Sequence, residues 1–459
     1  MNYFSTRNTK LNLSFKKIFF KGLSEDGGLF LPNQIPRLSD KELKIFEKYN
    51  FQQMSFKIFK YFIGDTFNDN ELKNIIDTAY SKFREPNIID VKILDHISYV
   101  QLHHGPTLAF KDIAMQVLGG MYELLLKSEN IKINLVTATS GDTGAAAIDA
   151  IKDKKNVNIF VLHPHNKISS VQRQLMTTCN AENVFNIAIK GSFDDCQKIV
   201  KDMFIDQDFA NKINMSGVNS INWARIIAQI VYYFFIYYKF NNSKKPIVVS
   251  VPTGNFGDIY AGYVAKQMGL NIKELIVATN QNNILQRCID TGEYKPLDVA
   301  ESISPSMDIQ VASNFERFLF DVLEHSSSDI NKKMSEFKSN GKFQVGKDCL
   351  EICQRHFSSA KVNMSEVKKV IKDTFESDDY LVDPHTAIGI HALSIDQSSE
   401  NSFVLGTAHP VKFLDTVEES ILQKTNLLEG YESLFEASER FLSLDNDVEA
   451  IKFKIIENS

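Results

Sequence analysis

The amino-acid sequence predicts an α/β protein with parallel sheets flanked by helices, together with a separate, mainly helical N-terminal domain. Two observations support this prediction. From about residue 131, strand-like apolar runs alternate with amphipathic helical stretches, and a Gly-rich turn twice follows a β-branched strand. Residues 1–90 lack that alternation and carry helical patterns instead.

The chain length of 459 residues exceeds what one hydrophobic core usually holds, so we expect several domains. We place the helical domain at residues 1–90 and a smaller α/β domain at residues 131–242. Residues 91–130 and 243–430 are expected to form a larger α/β domain, and residues 431–459 a C-terminal segment. The sequence beyond Phe413 contains no motif that indicates a role.

The individual elements follow from local patterns. Residues 40–64 have apolar side chains at helical spacing, after an early turn in SEDGGLFLP. In the smaller domain, INLVTAT, NIFVLHP and VFNIAIK read as strands, and AAAIDAIK, residues 169–178 and DDCQKIVKDMF read as helices. A second series begins with the strand, turn and helix of KPIVVSVPTGNFGDIYAGYVAKQMG, followed by the strand ELIVATN.

Charge and composition argue against nucleic-acid and membrane partners. The net charge is −6 and the pI about 6.0, so the surface as a whole does not attract phosphate backbones or anionic lipids. The apolar stretch Ile226–Tyr238 is shorter than the roughly 20 residues of a membrane span, and we expect a buried helix there. The N-terminal residues carry no export pattern, so we expect a cytoplasmic protein. The sequence leaves a monomer and a homodimer both open.

The five cysteines suit reduced intracellular thiols better than a disulfide framework. Cys349, Cys353 and His356 stand at helical spacing and could be imagined as metal ligands. The same spacing is that of an ordinary buried helix face, and no fourth ligand is close in sequence. We therefore expect no metal site.

Lys111 follows a Gly-Pro turn in HHGPTLAFKDIAMQVLGG and stands at the start of an amphipathic helix. The helix dipole and the apolar neighbours Leu108 and Phe110 are expected to lower the pKa of its ammonium group. A neutral amine is what Schiff-base chemistry requires. The alternative is an ordinary solvated lysine paired with Asp112.

The segment VTATSGDTGAAA predicts a strand, a Gly-rich turn and a helix. Ser140, Gly141, Asp142 and Thr143 form the turn, where small residues allow an anion to approach the backbone amides. A carboxylate or a phosphate would fit there. The alternative is a plain strand-to-helix connection that Asp or Thr caps.

The segment VPTGNFGDIYAG repeats this geometry. Its turn contains Gly254, Asn255, Phe256 and Gly257, but it lacks the Lys-Ser/Thr pair of a nucleotide P-loop and is not a GxGxxG fingerprint. A phosphate monoester held by backbone amides, without a metal, is the better candidate.

Six motifs then occur in a fixed order: HHGPTLAFKD, TATSGDTGAAA, NSINWARI, VPTGNFGD, SPSMDIQVASNFER and LGTAHPVKF. Together with the early GLSEDGGLFLP, this series resembles the threonine synthase family over roughly residues 3–413. The resemblance implies a fold-type II pyridoxal-phosphate enzyme, similar in fold to the β subunit of tryptophan synthase. It also implies conversion of O-phospho-L-homoserine and water into L-threonine and phosphate, the last step of threonine biosynthesis.

The resemblance assigns roles to matching positions. Lys111 matches the Schiff-base lysine that binds pyridoxal 5'-phosphate and moves protons. Thr407 matches the position beside the pyridine nitrogen of that cofactor. The remaining matches are the turn around the cofactor phosphate, with Gly254, Asn255, Phe256, Gly257 and Asp258, and the loop for the substrate carboxylate, with Ser140, Gly141, Asp142 and Thr143.

The substrate phosphate requires a cation, and Arg225 in NSINWARI is our first choice because a guanidinium group matches phosphate oxygens. Asn219, Ser220 and Asn222 could add donors, and Arg173 is a weaker second cation. The alternative for Arg225 is a salt bridge on a helix surface.

One position, His103, departs from the Phe that the family pattern leads us to expect, which affects only local packing.

The nearest rival function is that of a serine or threonine dehydratase or a sulfhydrylase, which act on leaving groups at Cβ. A second rival is a non-catalytic homologue, but Lys111, both turns and Thr407 are all present.

Overall fold

The computed structural model describes residues 1–94, 97–218, 220–396, 401–427 and 429–459. Its N-terminal part combines helices with a short antiparallel sheet, whereas the sequence predicted only helices and a turn there. The third strand of this sheet arises at the FLP end of the predicted turn. The elements are β1 (Tyr3–Ser5), β2 (Asn8–Leu13), α1 (Phe15–Lys21), β3 (Phe30–Pro32), α2 (Asp40–Ile45), α3 (Phe51–Ile63) and α4 (Asp69–Tyr80).

The next segment opens the larger α/β unit, and the chain then passes into the smaller one. The larger unit begins with β4 (Asp90–Leu94), β5 (Ile97–Gln101) and α5 (Lys111–Glu129). The smaller unit contains β6 (Ile133–Ala138), α6 (Asp142–Ile151), β7 (Val157–Pro164), α7 (Ser170–Thr177), β8 (Val184–Lys190), α8 (Phe193–Ile205), α9 (Gln207–Lys212) and β9 (Met215–Ser216).

After the smaller unit, the chain returns to the larger one through a long apolar helix. The elements up to the large-sheet strand β14 are α10 (Trp223–Lys239), β10 (Ile247–Pro252), α11 (Gly257–Gln267), β11 (Ile272–Thr279), α12 (Ile284–Thr291), β12 (Glu293–Tyr294), α13 (Phe315–Val322), α14 (Ser327–Asn340), β13 (Phe343–Gln344), α15 (Lys347–His356) and β14 (Phe357–Lys361). The elements from there to the C-terminus are α16 (Met364–Asp378), α17 (Pro384–Asp396), β15 (Ser402–Gly406), α18 (Leu414–Ile421), α19 (Ser433–Glu436), β16 (Leu442–Asp445) and α20 (Val448–Glu457).

Two sheets organise these elements. In the described part of the chain, the larger sheet has the strand order β14–β11–β10–β15–β5–β4 and is parallel except at the edge, where β4 runs antiparallel to β5. The smaller sheet has the order β16–β8–β7–β6–β9 and is parallel throughout. The predicted parallel α/β architecture is therefore confirmed.

The C-terminal segment belongs in space to the smaller unit. Strand β16 pairs with β8 and extends the smaller sheet at its edge. Helix α20 packs beside α8, and its buried Ile451 and Ile455 share an apolar cluster with Ile199. Burial of apolar area of this kind is what holds a terminal segment in place.

Helix α10 is the predicted apolar helix, and it is buried along almost its whole length among α3, α5 and α11. Across the described ranges, no helix is both long and apolar enough to cross a membrane. The apolar character of α10 reflects helices and strands on all its sides, because a helix that is apolar around its circumference must be covered all round.

The candidate site lies where parallel strands end. Strand β6 ends before the turn SGDTG, β10 before the turn TGNFG, and β15 directly before Thr407. Strand β5 ends before the loop that leads to Lys111. Ligands of open α/β folds bind outside the carboxyl ends of the strands, and these segments meet there.

Candidate active site

Lys111 begins α5, and its side chain is 11% exposed. Its Nζ lies 3.2 Å from Asp142 Oδ2 and 4.6 Å from the centre of the Phe110 ring. Burial lowers the pKa of Lys111, while the carboxylate of Asp142 opposes that shift. The amine is therefore nearer to the neutral form than an ordinary lysine, as covalent catalysis requires.

The alternative that pairs a solvated Lys111 with Asp112 is wrong. Asp112 is buried, and its carboxylate accepts hydrogen bonds from Thr107 N at 2.8 Å and Thr107 Oγ1 at 2.7 Å. Gly105 leaves room for it, since a Cβ there would lie 2.4 Å from Asp112 Cβ. Burial raises the pKa of Asp112 to about 6. Asp112 thus fixes the loop that precedes the lysine.

Asp142 begins α6 and lies between two lysines. Its Oδ1 is 2.7 Å from Lys412 Nζ and accepts a hydrogen bond from Gln172 Nε2 at 2.9 Å. Its Oδ2 is paired with Lys111 and accepts a 3.4 Å hydrogen bond from Ser306 Oγ. Burial alone would raise the pKa of Asp142, but the charges of Lys412 and Lys111 hold it well below its usual range. This ionised side chain would repel a substrate carboxylate.

The backbone of the same turn remains suited to an anion. Gly141 has φ 128°, a conformation that side chains disfavour, and its amide donates to Thr139 Oγ1 at 2.9 Å. Asp142 and Thr143 occupy the first turn of α6, where amides have no intrahelical partner. Ser140 beside them is half-buried. The backbone amides of the turn therefore remain the predicted contact for the substrate carboxylate, and the side chain of Asp142 is not part of it.

The second Gly-rich turn joins β10 to α11. Phe256 is buried and adopts a left-handed backbone with φ 61°. Helix α11 begins at Gly257 without a side-chain cap, so its first amides are free to face a ligand. A Cβ on Gly254 would lie 3.0 Å from the carbonyl oxygen of Ser306. The turn is a narrow cradle of amides at a helix N-terminus, which suits a phosphate group.

Asp258, predicted with this cradle, directs its side chain into the interior. Its Oδ1 accepts hydrogen bonds from the hydroxyl groups of Tyr232 and Tyr233, the latter at 3.1 Å. Burial raises the pKa of Asp258 to about 6. The carboxyl group therefore links α11 to α10 through Oδ1, while Oδ2 has no hydrogen-bond partner among the described residues.

Thr407 connects the end of β15 to the segment before Lys111. Its carbonyl accepts a hydrogen bond from Phe110 N at 2.9 Å, and its amide donates to Thr386 Oγ1 at 3.2 Å. The hydroxyl oxygen is buried and has no hydrogen-bond partner in the part of the chain that the structure describes. A buried hydroxyl without a partner is costly, and the ring nitrogen of a bound heterocycle would supply one.

Arg225 lies in the first turn of α10 and is 2% exposed, so its interpretation as a surface salt bridge is wrong. Burial lowers its pKa to about 10, against the opposing influence of Tyr232 and Asp258. Among the described residues, Nε and Nη1 of Arg225 have no hydrogen-bond partner. A buried guanidinium group with free donors is suited to an oxyanion.

Asn222, predicted as a further donor, belongs to the framework instead. Its Oδ1 accepts from Ala224 N at 3.1 Å and so caps α10, while its Nδ2 donates to Phe19 O at 3.0 Å. These bonds use both ends of the side-chain amide. We therefore do not assign Asn222 to the substrate.

Three other residues were predicted as possible contacts of the substrate phosphate: Asn219, Ser220 and Arg173. Asn219 lies outside the described residues. Ser220 is half-buried, and its carbonyl accepts from Asn314 Nδ2 at 3.3 Å. Arg173 is paired with Glu439 through Nε at 2.7 Å and Nη2 at 2.9 Å, so its guanidinium group is already neutralised.

In the described ranges, no group of three or more His, Cys, Asp or Glu side chains is arranged to hold a metal ion. Cys353 is buried on α15, and Cys349 is half-buried with its Sγ 3.3 Å from Val322 O. Among the described residues, the cleft combines four groups: the Lys111 amine with a lowered pKa, the backbone amides of the Gly254 turn, the Thr407 hydroxyl without a partner, and the buried Arg225 guanidinium group.

Comparison with known proteins agrees with this chemistry. The family described as threonine synthase N terminus matches residues 2–80, that of pyridoxal-phosphate dependent enzymes residues 99–332, and that of the threonine synthase C-terminal region residues 386–455. A threonine synthase from Pseudomonas aeruginosa is 40% identical, over 98% of this chain and 97% of that protein. The chain belongs to the threonine synthase family.

Other members support the assignment. A threonine synthase from Saccharomyces cerevisiae is 40% identical, over 91% of this chain and 89% of its own length. The structure of a PLP-bound threonine synthase from Brucella melitensis matches with a TM-score of 0.95 at 38% identity, covering 100% of this chain and 99% of that one. The predicted family, enzyme class and cofactor, pyridoxal 5'-phosphate, are therefore confirmed.

The residues present fit that cofactor. The Gly254 cradle suits its phosphate, the Lys111 amine its aldehyde, and the unpaired Thr407 hydroxyl its ring nitrogen. A threonine deaminase from Solanum lycopersicum, 13% identical with a TM-score of 0.51, shares the fold only. Fold-type II architecture is thus common to threonine synthases and to enzymes with other reactions.

Some residues of the site were missed by the sequence analysis. Arg317 is fully buried and donates to Phe30 O at 3.1 Å, Ile221 O at 2.6 Å and Asn314 Oδ1. Asn314 in turn donates to Asn255 O at 3.1 Å. This network fixes the backbone of the phosphate cradle at Asn255. Both residues lie in SPSMDIQVASNFER, one of the six motifs that carry the family resemblance. The motif marked this segment, but it did not indicate what Asn314 and Arg317 do.

A second missed group is Asp383, His385 and Thr386. Asp383 accepts from His385 Nδ1 at 2.9 Å and from the hydroxyl of Thr386, which itself accepts from Thr407 N. His385 Nε2 accepts from Ser306 N at 3.3 Å, which places the ring proton on Nδ1. This buried network holds Thr407 and the Ser306 loop in register. The DPHT sequence could have suggested it.

The departure at His103 is accommodated by a hydrogen bond. Its buried ring makes a 2.9 Å contact through Nε2 with the Tyr99 hydroxyl. Burial, followed by the neighbouring charges of His409 and His104, lowers the pKa of His103 well below its usual value. The ring is therefore neutral near pH 7 and acts as a packed polar group.

Gly254→Val is expected to weaken binding of pyridoxal 5'-phosphate about tenfold or more, because forcing atoms into a packed site costs about 1–3 kcal/mol. The added carbon would lie 3.0 Å from the Ser306 carbonyl oxygen. The measurement is equilibrium binding of the cofactor by absorbance. Gly346→Val is the control, since nothing lies within 4 Å of a Cβ there. Equal affinity in both variants would contradict the cradle.

The pH dependence of cofactor uptake tests the environment of Lys111. Only the neutral amine reacts, so a lowered pKa allows uptake at lower pH than for an exposed lysine. Asp142 raises the pKa of Lys111, so Asp142→Asn should move the rate profile of the cofactor-free protein to lower pH. Asp149→Asn, on the same helix, should leave it in place. A shift to higher pH in Asp142→Asn would contradict the assignment.

Proposed function

We propose that this chain converts O-phospho-L-homoserine and water into L-threonine and phosphate by γ-elimination followed by β-hydration. The observation that carries the proposal is Arg225, a guanidinium group buried near the Lys111 amine with free donors in the described part of the chain. Because the cleft already contains a cradle for the cofactor phosphate, this second anion-binding group favours a substrate that is itself a strong anion.

When bound, pyridoxal 5'-phosphate supplies an electron sink that stabilises negative charge at Cα of an amino acid. The chain supplies the base. The Lys111 amine, whose pKa is lowered by burial, accepts the proton from Cα and can return a proton at the end of the reaction. Asp142, 3.2 Å away, stabilises the ammonium group that results.

The substrate is oriented by its two anionic ends. The amides of Asp142 and Thr143, with the half-buried Ser140 hydroxyl, would bind the carboxylate at the N-terminus of α6. Arg225, supported by Ser220, would bind the phosphate through paired N–H donors. Holding both ends fixes Cα and Cβ relative to Lys111, and such positioning lowers the barrier to each proton transfer.

Release of phosphate from Cγ requires that a proton leave Cβ. Cγ must then gain a proton to become the methyl group, and water must add at Cβ. Early entry of water would divert the reaction, so the cleft must exclude it until phosphate has formed. Lys111 and Asp142 are 11% and 3% exposed, and the Phe110 ring covers the amine. Phosphate that stays on Arg225 is also placed to assist the incoming water.

We infer that the protein acts in the cytoplasm as a monomer or homodimer. All five cysteines are free thiols, which suits a reducing compartment. The net charge of −6 offers no attraction to nucleic acid.

The direct test is turnover of O-phospho-L-homoserine by the purified, cofactor-loaded protein. We expect phosphate and L-threonine in equal amounts, measured by a colorimetric phosphate assay and chromatography. The rival dehydratase function predicts pyruvate from L-serine or 2-oxobutanoate from L-threonine. Keto-acid formation faster than threonine formation would overturn the proposal.

Arg225→Met is expected to lower kcat/KM for O-phospho-L-homoserine about 100-fold, since charge-assisted hydrogen bonds contribute about 1.5–3 kcal/mol each. Inorganic phosphate should inhibit the parent protein competitively and the variant much less. Arg355→Met changes an exposed arginine and serves as the control. If the variant kept normal kinetics and phosphate inhibition, another cation would have to bind the phosphate.

A further inference from the structure

Lys412 is a second lysine of the cleft, and the proposed function gives it no part. It lies in the turn Pro410–Phe413 after β15 and is 0% exposed. Its Nζ is 2.7 Å from Asp142 Oδ1 and donates to Thr107 O at 2.8 Å. A lysine without access to water is rare and needs a compensating charge, which Asp142 provides.

The contact crosses the cleft between the two α/β units. Asp142 begins α6 of the smaller unit, whereas Lys412 and Thr107 belong to the larger unit. Ser169, directly before α7 of the smaller unit, donates through Oγ to Lys412 O at 2.7 Å. The smaller unit therefore binds Lys412 at both its side chain and its backbone.

The two lysines beside Asp142 are chemically different. Lys111 loses its positive charge when its amine bonds to the cofactor or yields a proton, and it lies 3.2 Å from Asp142. Lys412 lies closer, at 2.7 Å, and is tied to the Thr107 carbonyl away from the reacting atoms. An ionised carboxylate in this dry site needs a cation at every stage. Of the two lysines that contact Asp142, Lys412 is the one that supplies it throughout.

We propose that Lys412 is a positioning residue of this reaction: its ammonium group keeps Asp142 ionised and holds the turn 140–144 against the larger unit, whatever the charge of Lys111. This inference rests on the proposed function and names the residue that aligns the substrate-carboxylate turn with the lysine. The charged groups that act on Lys412 or share its surroundings are Lys111, Asp112, Asp142 and His409.

The first test is a double-mutant cycle on the cofactor-loaded enzyme. Lys412→Met should lower kcat about tenfold or more, because removing one partner leaves a buried charge uncompensated. In the Asp142→Asn background the same change should have less than about a twofold effect, because Lys412 acts through Asp142. Equal losses in both backgrounds would overturn the proposal. Lys368→Met, which breaks an exposed ion pair with Glu419, is the control and should leave kcat unchanged.

The second test follows hydrogen exchange of the same holoenzymes, and it needs no substrate. Lys412→Met should speed exchange in the peptide that covers residues 139–151, while the strand Ile247–Pro252 of the larger sheet should stay protected. Unchanged exchange at residues 139–151 would contradict the proposal even if the enzyme proved to act on another substrate. Absence of threonine formation with the expected exchange would instead overturn only the proposed function.

The third readout is the pH midpoint of the cofactor absorbance in the holoenzyme. Asp142, Lys412, Arg225 and Asp258 are charged groups that interact with the Lys111 nitrogen. A neighbouring cation disfavours protonation, so Lys412→Met should move the midpoint to higher pH and Asp142→Asn to lower pH. A role limited to filling space predicts no shift in Lys412→Met, and that result would also contradict the proposal.

Discussion

A buried carboxylate, Asp142, pairs with two lysines across the cleft, in addition to the apolar packing between α5 and α6. It carries a negative charge at 3% exposure, and it is stable there because ammonium groups from the larger unit lie on both its oxygens. Separation of the units would break both ion pairs and leave Asp142 with its hydrogen bond from Gln172. The pKa of Lys111 depends on this arrangement, and so does the alignment of the Gly-rich turn proposed above.

The remainder of the site is positioned by buried polar networks rather than by ligand contacts alone. Arg317 and Asn314 support the phosphate turn, and Asp383 aligns both Thr407 and the Ser306 loop. The donors of these networks bond to other protein groups. In contrast, Thr407 Oγ1 and two nitrogens of Arg225 have no hydrogen-bond partner in the described ranges. Thr407 and Arg225 lie where the cofactor and the substrate phosphate would bind, and bound ligands would supply the missing partners.

Much of this could be predicted from the sequence because the information is local. Alternating strands and helices predict parallel sheets, and a Gly-rich turn after a strand predicts an anion site at the next helix. The lysine at the start of α5 was ambiguous by itself, and only its pairing with distant motifs favoured a catalytic role. What the sequence could not provide is side-chain direction. Asp142 and Asn222 stand in the right motifs, yet one faces two lysines and the other caps a helix.

The long-range features escaped prediction for the same reason. Lys412 is 270 residues from Asp142 in the sequence, counted as 412 minus 142, and no pattern connects them. The C-terminal segment showed no motif that indicated a role, although the threonine synthase C-terminal family covers it to residue 455. It adds β16 to the smaller sheet, where the edge strand β8 has backbone groups free to pair.

The central claim is that Lys111, and not the buried Lys412, binds the cofactor. It can be tested by borohydride reduction of the native protein followed by peptide mass spectrometry. Reduction fixes the bond between a lysine amine and the cofactor aldehyde, so the modified residue can be read directly. The structure predicts the added pyridoxyl mass on the peptide that contains Lys111 and none on the peptide that contains Lys412. Modification of Lys412, or of neither lysine, would contradict the account.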